Sequence, residues 1–255
     1  MNNLEKAANA LRSAHRVVLF TGAGISADSR IPTFRDKLNG FWEKYDPQTL
    51  ETAKAFRENP ARVWGWYLWR RRQMALAEPN AAHLTAPLLA ATGRHVAVIT
   101  QNIDDLHERA GLQNVVHLHG SLDKPKCVAC NRPAELTAEQ MVVAAEGEQI
   151  EPPRCNRCDG RLRPGVVWFE ENLPKGAWKT AMTSVKACDV LIFSIGTSAI
   201  VKPAADMPEI ALAAGATVIH VNVRDVGLGE KREIMLIGSA STVMPKLIHT
   251  ALDEL

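Results

Sequence analysis

Four cysteines in two Cys-x-x-Cys pairs carry the most distinctive chemistry of the chain. Cys127 is paired with Cys130, and Cys155 is paired with Cys158. Two short loops that each present two thiolates can close a tetrahedral zinc site. A redox-active pair or buried, unpaired cysteines are the alternatives, but two pairs together favour a metal. Four thiolates fill the coordination sphere of zinc, so the predicted site is structural and leaves no position for a substrate.

A glycine-rich turn at residues 22–27 (Gly-Ala-Gly-Ile-Ser-Ala) follows an apolar run at 16–20. It matches the G-x-G-x-x-A form of a dinucleotide-binding turn, in which backbone N–H groups approach a pyrophosphate. A tight structural turn is the alternative. A dehydrogenase of this type would also need an acidic residue about 20 positions later, at the end of a strand. Glu43 and Asp46 lie near that distance in a segment without strand character, which disfavours hydride transfer.

Polar residues follow two further predicted strands. Residues 101–104 (Gln-Asn-Ile-Asp) come directly after an apolar run, and His119 stands before a glycine at the end of another. Ligands bind at the carboxyl ends of strands in open α/β sheets. Amide and carboxylate groups there can hold a ribose or a carboxamide, and His119 is a candidate general base. A helix N-cap at Asn102 or Asp104 is the alternative, and a purely structural histidine fits His117 better.

Composition limits the class of protein that positions these groups. The chain has 255 residues, 46% hydrophobic and 23% charged, which fits one large domain or one domain with a small insert. A net charge of +2 gives no electrostatic case for nucleic acid or membrane partners. No apolar stretch is long enough for a membrane span, and the first residues do not resemble a secretory signal. Paired cysteines of this kind suit a reducing compartment, so we expect a cytoplasmic protein.

Strands and helices alternate along most of the sequence. The strands are predicted at 16–20, 95–100, 115–118, 189–195 and 217–222, and the helices at 4–11, 60–76, 81–91, 104–110, 178–187, 204–214 and after Ser239 or Ser241. This alternation predicts an α/β fold with a Rossmann-like, doubly wound parallel sheet. Residues 121–166 break the pattern and hold all four paired cysteines, so they are expected to form a small zinc-binding domain. Residues 1–120 and 167–255 then form the large domain, with a helical insert at about 36–80.

Taken in order, these motifs resemble those of the sirtuins, which are NAD-dependent protein-lysine deacylases. The resemblance runs from about residue 16 to 250 and rests on residues 22–27, 32–35, 100–104, 119–122, 196–198 and the two cysteine pairs. It implies NAD as co-substrate, one structural zinc per chain, and acyl-lysine proteins or peptides as substrates. The implied products are nicotinamide, the free lysine and an O-acyl-ADP-ribose. It also implies that His119 is the base for a ribose hydroxyl and that Asn102 is the second catalytic residue.

The resemblance further assigns binding residues. Those implied to contact NAD are Gly22, Ala23, Gly24, Ala27, Thr33, Phe34, Arg35, Trp42, Gln101, Asn102, Ile103, Asp104, Gly196, Thr197, Ser198, Asn222, Val223, Arg224 and Ala240. Val167, Trp168 and Phe169 are implied to pair with the substrate backbone as an added strand.

One helical pair narrows the substrate. Tyr67 and Arg70 lie three residues apart on one face of the predicted helix 60–76. Together they could bind a carboxylate at the end of an acyl chain, and the pair is similar to that of sirtuins preferring succinyl, malonyl or glutaryl groups. Small residues at Ala53 and Ala55 could widen the pocket. An amphipathic helix without a ligand role is the alternative.

Two positions depart from the family pattern. Arg30 and Glu170 stand where the family usually has glycine. A side chain at Arg30 disfavours a positive φ, so we expect a reshaped loop there. Glu170 places a negative charge beside the expected peptide strand.

The sequence therefore predicts an NAD-dependent deacylase, favouring succinyl or malonyl groups and also accepting acetyl, and acting as a monomer. Mono-ADP-ribosyl transfer at the same NAD site is the rival enzymatic hypothesis. A non-catalytic protein that senses NAD is the rival of another class.

Overall fold

A six-stranded parallel sheet forms the centre of the molecule. The computed structural model describes residues 2–31, 49–141, 144–194 and 202–252. The strands of the sheet, numbered in chain order, are β1 (Arg16–Thr21), β2 (His95–Thr100), β3 (Val116–His117), β6 (Val190–Ser194), β7 (Thr217–Asn222) and β8 (Glu233–Ile237). They lie in the order β3-β2-β1-β6-β7-β8, and every pairing is parallel. This confirms the predicted parallel sheet.

Helices cover both faces of this sheet. On one face pack α1 (Asn3–Ser13), α5 (Thr85–Ala91) and α9 (Ala240–Leu252), and on the other α7 (Lys175–Ala187) and α8 (Met207–Ala213). Successive side chains of β1 alternate between the two layers: Val17 and Leu19 enter the first core, and Val18 and Phe20 enter the second. Both faces are therefore buried, which explains why the strand reads as an unbroken apolar run. The doubly wound, Rossmann-like prediction is confirmed.

The longest helix in the described part of the chain does not belong to the two helical layers that cover the main sheet. It is α4 (Pro60–Leu76), preceded by the short α3 (Ala53–Glu58). Asn59 accepts a hydrogen bond from the Arg62 N–H, and Pro60 occupies the first turn, where it costs no hydrogen bond. The remaining short elements are α2 (Ala23–Ser26), α6 (Leu106–Arg109) and 3-10 turns at Ala27–Ser29 and Ala204–Asp206.

Two antiparallel strands, β4 (Gly120–Cys127) and β5 (Leu162–Val166), form a second sheet. The strands approach so closely that a Cβ on Gly165 would lie 1.7 Å from the Lys124 carbonyl oxygen, which requires glycine. β4 begins directly after His119, and β5 leads directly into residues 167–169. The small sheet thus fixes two segments that the sequence assigned to the site.

Most predicted elements agree with the structure, and the differences are local. The helix predicted at 104–110 spans only Leu106–Arg109, and the one at 204–214 begins as a 3-10 turn. Strand β8 was not predicted, although residues 234–237 form a short apolar run; it lies at the edge of the sheet and is only partly buried. None of the helices in the described ranges combines the length and hydrophobicity that a membrane span requires.

Candidate active site

A cavity of about 820 Å³ lies at the carboxyl ends of β1 and β2 and extends to the end of β5. This is the edge at which open α/β sheets bind ligands, and the volume is in the range of small-molecule sites. The predicted site residues in its wall are Ala23, Tyr67, Arg70, Gln101, Asn102, Ile103, Asp104, His119, Val167, Trp168 and Phe169. The structure therefore brings five separate sequence motifs to one cavity.

His119 is held in the form that a general base needs. Its Nδ1 lies 2.9 Å from the carbonyl oxygen of Gln101. Because a carbonyl can only accept, Nδ1 carries the proton and Nε2 keeps its lone pair. Burial lowers the pKa of His119, against the opposing effect of this hydrogen bond. The imidazole is therefore neutral near pH 7 and able to accept a proton.

His117 has a different environment. Its Nδ1 lies 3.1 Å from the Asn102 carbonyl oxygen, and its Nε2 lies 2.8 Å from Oε1 of Glu108. Both partners are acceptors, so both nitrogens carry protons. Although burial acts to lower it, the hydrogen bond and charge of Glu108 raise the pKa of His117. A histidine held in the cationic form is unsuited to act as a base, which fits the structural interpretation of this residue.

Asn102 and Asp104 are joined through Ser26, a residue that the sequence analysis did not single out. The Asn102 side-chain amide donates to Ser26 Oγ at 3.0 Å, and Ser26 Oγ donates to Asp104 Oδ2 at 3.1 Å. All three side chains are buried and all three line the cavity. Burial raises the pKa of Asp104 to about 6, against the hydrogen bonds from Leu106 N–H and Ser26. The network fixes the orientation of the amide and the carboxylate before any ligand arrives.

His83 is a further neighbour of Ser26 in the network that joins Asn102 and Asp104. Its Nδ1 accepts from the Asn80 N–H at 3.2 Å, so its Nε2 carries the proton, and Nε2 lies 3.5 Å from Ser26 Oγ. Burial lowers the pKa of His83 to about 4. The ring stays neutral at physiological pH and adds no charge behind the cavity.

Tyr67 is fixed by Trp168. The Trp168 indole Nε1–H donates to the Tyr67 hydroxyl at 3.1 Å, and both side chains are buried. Trp168 is held in turn by Arg163, whose guanidinium carbon lies 3.3 Å from the ring centroid and which forms two bonds to Glu171. Burial raises the pKa of Tyr67, so the phenol keeps a proton that it can donate to a ligand.

Arg70 is a buried cation in the cavity wall, with only 5% of its surface exposed. Burial lowers its pKa, and the negative charge of Glu51 opposes that effect. Glu51, which the sequence analysis missed, also lines the cavity. Burial raises the pKa of Glu51 to about 7, against the opposing charge of Arg70. The two groups share one end of the cavity, and no motif in the sequence connects them.

Ala53 and Ala55 are absent from the described cavity wall. Ala55 is buried in the apolar core formed with Phe56, Tyr67 and Trp168, and Ala53 packs against that core. The idea that they widen the pocket is therefore not supported, and their role is packing.

Residues 167–169 are tied down at both ends. The Val167 N–H donates to the His119 carbonyl oxygen at 2.8 Å, and the Phe169 N–H donates to the Glu51 carbonyl oxygen at 2.9 Å. Phe169 also forms a parallel bridge with Thr52, and 46% of its surface is exposed. An extended segment anchored in this way beside a base is suited to hold a peptide chain in register.

Arg30 and Glu170 both have left-handed backbone conformations, with φ of 65° and 70°. The expectation that Arg30 avoids a positive φ is wrong, because its backbone has the conformation that suits glycine. The loop from residue 32 onwards lies outside the described residues. Glu170 and Ile31, the residue after Arg30, both line the cavity. Strained residues therefore flank the site.

The four paired cysteines form a cluster in which all sulfur atoms lie within 4.8 Å of one another. Cys127 and Cys158 Sγ are 3.5 Å apart, and Cys130 and Cys155 Sγ are 3.9 Å apart. Zinc–sulfur bonds of about 2.3 Å in a tetrahedron place the sulfurs about 3.8 Å apart, so the cluster is positioned to bind a zinc ion.

The two cysteine loops repeat the same backbone pattern. The Asn131 N–H donates to the Cys127 carbonyl, and the Asp159 N–H donates to the Cys155 carbonyl. Asn131 and Asp159 both have positive φ, which these residue types tolerate. Each pair is therefore followed by a tight turn that aims its thiols at a common point.

The remaining predicted residues divide into two groups. Gly22, Gly24, Ala27, Asn222, Val223, Arg224 and Ala240 are described but do not line the cavity. Asn222 ends β7 and Ala240 begins α9, at the carboxyl edge of the sheet. Thr33, Phe34, Arg35, Trp42, Gly196, Thr197 and Ser198 lie outside the described residues.

Comparisons with known sequences agree with this geometry. Residues 22–203 match the Sir2 family. An NAD-dependent protein deacylase of Pseudomonas putida is 64% identical over 249 residues, covering 98% of this chain and 95% of that protein. An NAD-dependent protein deacylase of Mycobacterium tuberculosis is 46% identical, covering 92% of this chain and 97% of that protein.

Solved structures of Sir2 proteins are also similar to this chain. A Sir2 homologue bound to ADP-ribose has a TM-score of 0.87 at 41% identity, covering 98% of this chain and 96% of that one. A Sir2 homologue bound to NAD has a TM-score of 0.85 at 41% identity, with coverage of 98% and 94%. A Sir2 protein bound to a myristoylated histone peptide has a TM-score of 0.73 at 33% identity, with coverage of 99% and 97%.

Proposed function

The chain belongs to the Sir2 family and is an NAD-dependent protein deacylase, and from this premise we propose that it prefers acyl-lysines whose acyl group ends in a carboxylate. Succinyl-lysine and malonyl-lysine are the proposed substrates, with acetyl-lysine also accepted. The proposed products are nicotinamide, the free lysine and an O-acyl-ADP-ribose. The observation that supports this preference most directly is the burial of Arg70 in the wall of the cavity that also contains His119.

We call Glu51, Tyr67 and Arg70 the acyl end of the cavity. The Arg70 guanidinium donates to Gln73 Oε1 at 3.3 Å, and its planar fork of donors also matches the geometry of a carboxylate. The Tyr67 hydroxyl, fixed by Trp168, adds a donor beside it. A carboxylate bound here would receive a charge-assisted hydrogen bond from Arg70 and a second bond from Tyr67. An acetyl group would use neither.

In this proposal, the part of the cavity formed by Asn102, Asp104 and His119 binds NAD and provides the base for its reaction. Asn102 and Asp104, oriented through Ser26, hold the nicotinamide ribose and carboxamide. His119 accepts a proton at Nε2 from a ribose hydroxyl, because its Nδ1 is already committed to Gln101. Residues 167–169 hold the backbone of the acyl-lysine peptide as an added strand.

The proposal extends to the organisation of the chain. Residues 121–166 are proposed to form the small zinc-binding domain, and 1–120 with 167–255 to form the NAD-binding domain. Four thiols suited to zinc argue for a reducing, cytoplasmic setting. We further propose that the protein acts as a monomer on proteins or peptides and not on nucleic acid.

The test compares matched acetyl-lysine and succinyl-lysine peptides, with wild type and Arg70→Met. We expect wild type to have the higher kcat/KM for the succinyl peptide. Arg70→Met should lower that value roughly thirtyfold or more, because a desolvated carboxylate loses its cation. This corresponds to a loss of about 2 kcal/mol of transition-state stabilisation. Released nicotinamide and deacylated peptide are measured together, so that each turnover is assigned.

Arg71→Met is the matched control. Arg71 is the next residue of α4 but pairs with Asp123 at 2.9 Å, away from the cavity wall. An equal effect of the two variants would show that the helix charge, and not the acyl end, sets the preference. Acetyl turnover without succinyl turnover in wild type would refute the preference. Nicotinamide release without deacylated peptide would instead indicate ADP-ribosyl transfer.

A further inference from the structure

We infer that Glu51 decides how well the cavity accepts acyl groups that end in a carboxylate, because its own carboxylate competes with them for Arg70. This inference rests on the proposed function and names a residue that neither the sequence motifs nor the chemistry of the cysteine cluster explains. Glu51, Tyr67 and Arg70 line one cavity, and the charges of Glu51 and Arg70 act on each other, so a ligand carboxylate placed against Arg70 also meets the charge of Glu51.

The main chain fixes Glu51 in the cavity wall. Its carbonyl oxygen accepts the Phe169 N–H at 2.9 Å, and the next residue, Thr52, pairs with Phe169 in a parallel bridge. Thr52 also caps α3 by accepting the Ala55 N–H through Oγ1 at 3.0 Å. Because these contacts hold the backbone of residues 51 and 52, that backbone cannot move away from the cavity wall without disturbing the residues proposed to bind the peptide.

The charges around Glu51 determine what its proton does. Arg70 and Tyr67 face it from α4, and Arg70 is also within the field of Asp104 at the sheet edge. The positive charge of Arg163, in β5, also acts on Tyr67. When Glu51 is ionised, its negative charge offsets the positive charge of Arg70, and a second carboxylate from the acyl group is bound less favourably. When Glu51 is protonated, its negative charge no longer competes with the ligand carboxylate for Arg70.

The proton on Glu51 is exchanged near neutral pH. Burial raises the pKa of Glu51 to about 7, so the carboxyl is mostly neutral below that pH and ionised above it. Binding of an acidic acyl group should therefore take up a proton above pH 7. It follows that the preference for succinyl over acetyl falls as the pH rises, by about tenfold for each pH unit above 7 in the limit of full competition.

The experiment measures the ratio of kcat/KM for succinyl-lysine and acetyl-lysine peptides from about pH 6 to pH 9, for wild type and Glu51→Gln. Proton transfers at His119 are common to both substrates, so they cancel in the ratio. Wild type should lose succinyl preference as pH rises, while Glu51→Gln, which keeps the shape but cannot ionise, should keep it. At about pH 8 the ratio for Glu51→Gln should exceed that of wild type by about tenfold.

Glu170→Gln is the matched control, since it removes the same charge from the exposed rim of the same cavity. It should retain the pH slope of wild type. Calorimetric titration of succinyl-lysine peptide in buffers of different ionisation enthalpy gives an independent readout. Near pH 8 we expect uptake of close to one proton by wild type and none by Glu51→Gln.

The inference is overturned by any of three results: a flat ratio in wild type, the same slope in Glu51→Gln, or an equal change in Glu170→Gln. Failure of the proposed function looks different. If Arg70→Met leaves the ratio unchanged, the acyl end does not recognise the carboxylate at all. If Arg70→Met abolishes the preference and Glu51→Gln has no effect on its pH dependence, only the role of Glu51 is wrong.

Discussion

The cysteine cluster and the acyl end of the cavity both involve α4, but they are built in different ways. Trp64 and Leu68 pack with the buried thiols Cys127 and Cys155, while Tyr67 and Arg70 lie on a neighbouring face of the helix and enter the cavity. Two loops with identical spacing make the cluster, each closed by its own backbone hydrogen bond. The acyl end joins residues that are distant in sequence and carry opposite charges.

The difference shows that local sequence spacing can determine where some side chains lie, while the positions of others depend on packing between distant segments. In the cluster, two residues between cysteines determine where the thiols point, and a bound metal would then hold them. At the acyl end, the charges of Glu51 and Arg70 act on each other because α3, α4 and Trp168 share one apolar core. The cluster therefore depends on a single ion, and the acyl end depends on ionisation states that burial has shifted.

Of the changes considered, loss of one cysteine should have the largest effect on metal content, stability and turnover. In Cys155→Ala we expect bound zinc to fall from about one per chain to near zero, since three thiolates hold zinc poorly. Structural zinc contributes about 10–16 kcal/mol in small zinc-binding peptides, so residues around the cluster should lose order. Because Cys155 packs with Trp64 and Leu68, turnover of acetyl and succinyl peptides should fall together. Metal analysis, thermal melting and both assays measure this.

Cys188→Ala is the control for that change. Cys188 is a buried thiol in the core of the main sheet, far from the cluster in the fold, and its removal should leave the zinc content intact. Full zinc content in Cys155→Ala, or equal zinc loss in the two variants, would contradict the assignment of the four-cysteine site.

Tyr67→Phe should have an intermediate effect confined to the acyl end. The change leaves the buried Trp168 indole N–H without its partner, which costs about 1–3 kcal/mol of stability. It should also raise KM for the succinyl peptide more than for the acetyl peptide, because only the former uses the hydroxyl. Chemical denaturation and steady-state kinetics provide the two values.

A double-mutant cycle sharpens the result. If the hydrogen bond is responsible, Tyr67→Phe and Trp168→Phe should destabilise the protein less in combination than the sum of the single changes predicts. Additive effects would mean that the stability loss comes from packing and that the hydroxyl is not held by Trp168 in solution.

The same contrast explains which features could be predicted from the sequence. The sheet follows from apolar runs such as 95–100, since a strand buried on both faces has no polar alternation. The cysteine site follows from spacing. Ser26 and Glu51 could not be found in this way, because their roles depend on Asn102 and Arg70, which are distant in sequence. Edge strand β8 was missed although residues 234–237 are apolar, since so short an apolar run does not by itself distinguish a strand from other structure.

The expectation at Arg30 failed for a different physical reason. A propensity argument holds that a non-glycine residue avoids positive φ, yet the structure retains that conformation at both Arg30 and Glu170. Local preference was outweighed by the surrounding contacts, which occurs most often next to functional sites. The family pattern of glycines was therefore a better guide to the backbone than the residues present.

The smallest predicted effect is on stability, and it comes from backbone strain at the cavity and in the cysteine loops. Arg30→Gly and Glu170→Gly should each stabilise the protein by about 0.5 to 1 kcal/mol, since relief of the left-handed penalty exceeds the entropy cost of glycine. Asn131→Gly and Asp159→Gly in the cysteine loops should change stability by less than about 0.5 kcal/mol, because Asn and Asp tolerate that conformation. Urea denaturation with unchanged m-values measures the differences. Destabilisation in Arg30→Gly or Glu170→Gly would show that these side chains make contacts that outweigh their strain. Side-chain contacts would then stabilise the rim of the cavity, as they do the acyl end. Backbone strain would no longer be a difference between the rim and the cysteine loops.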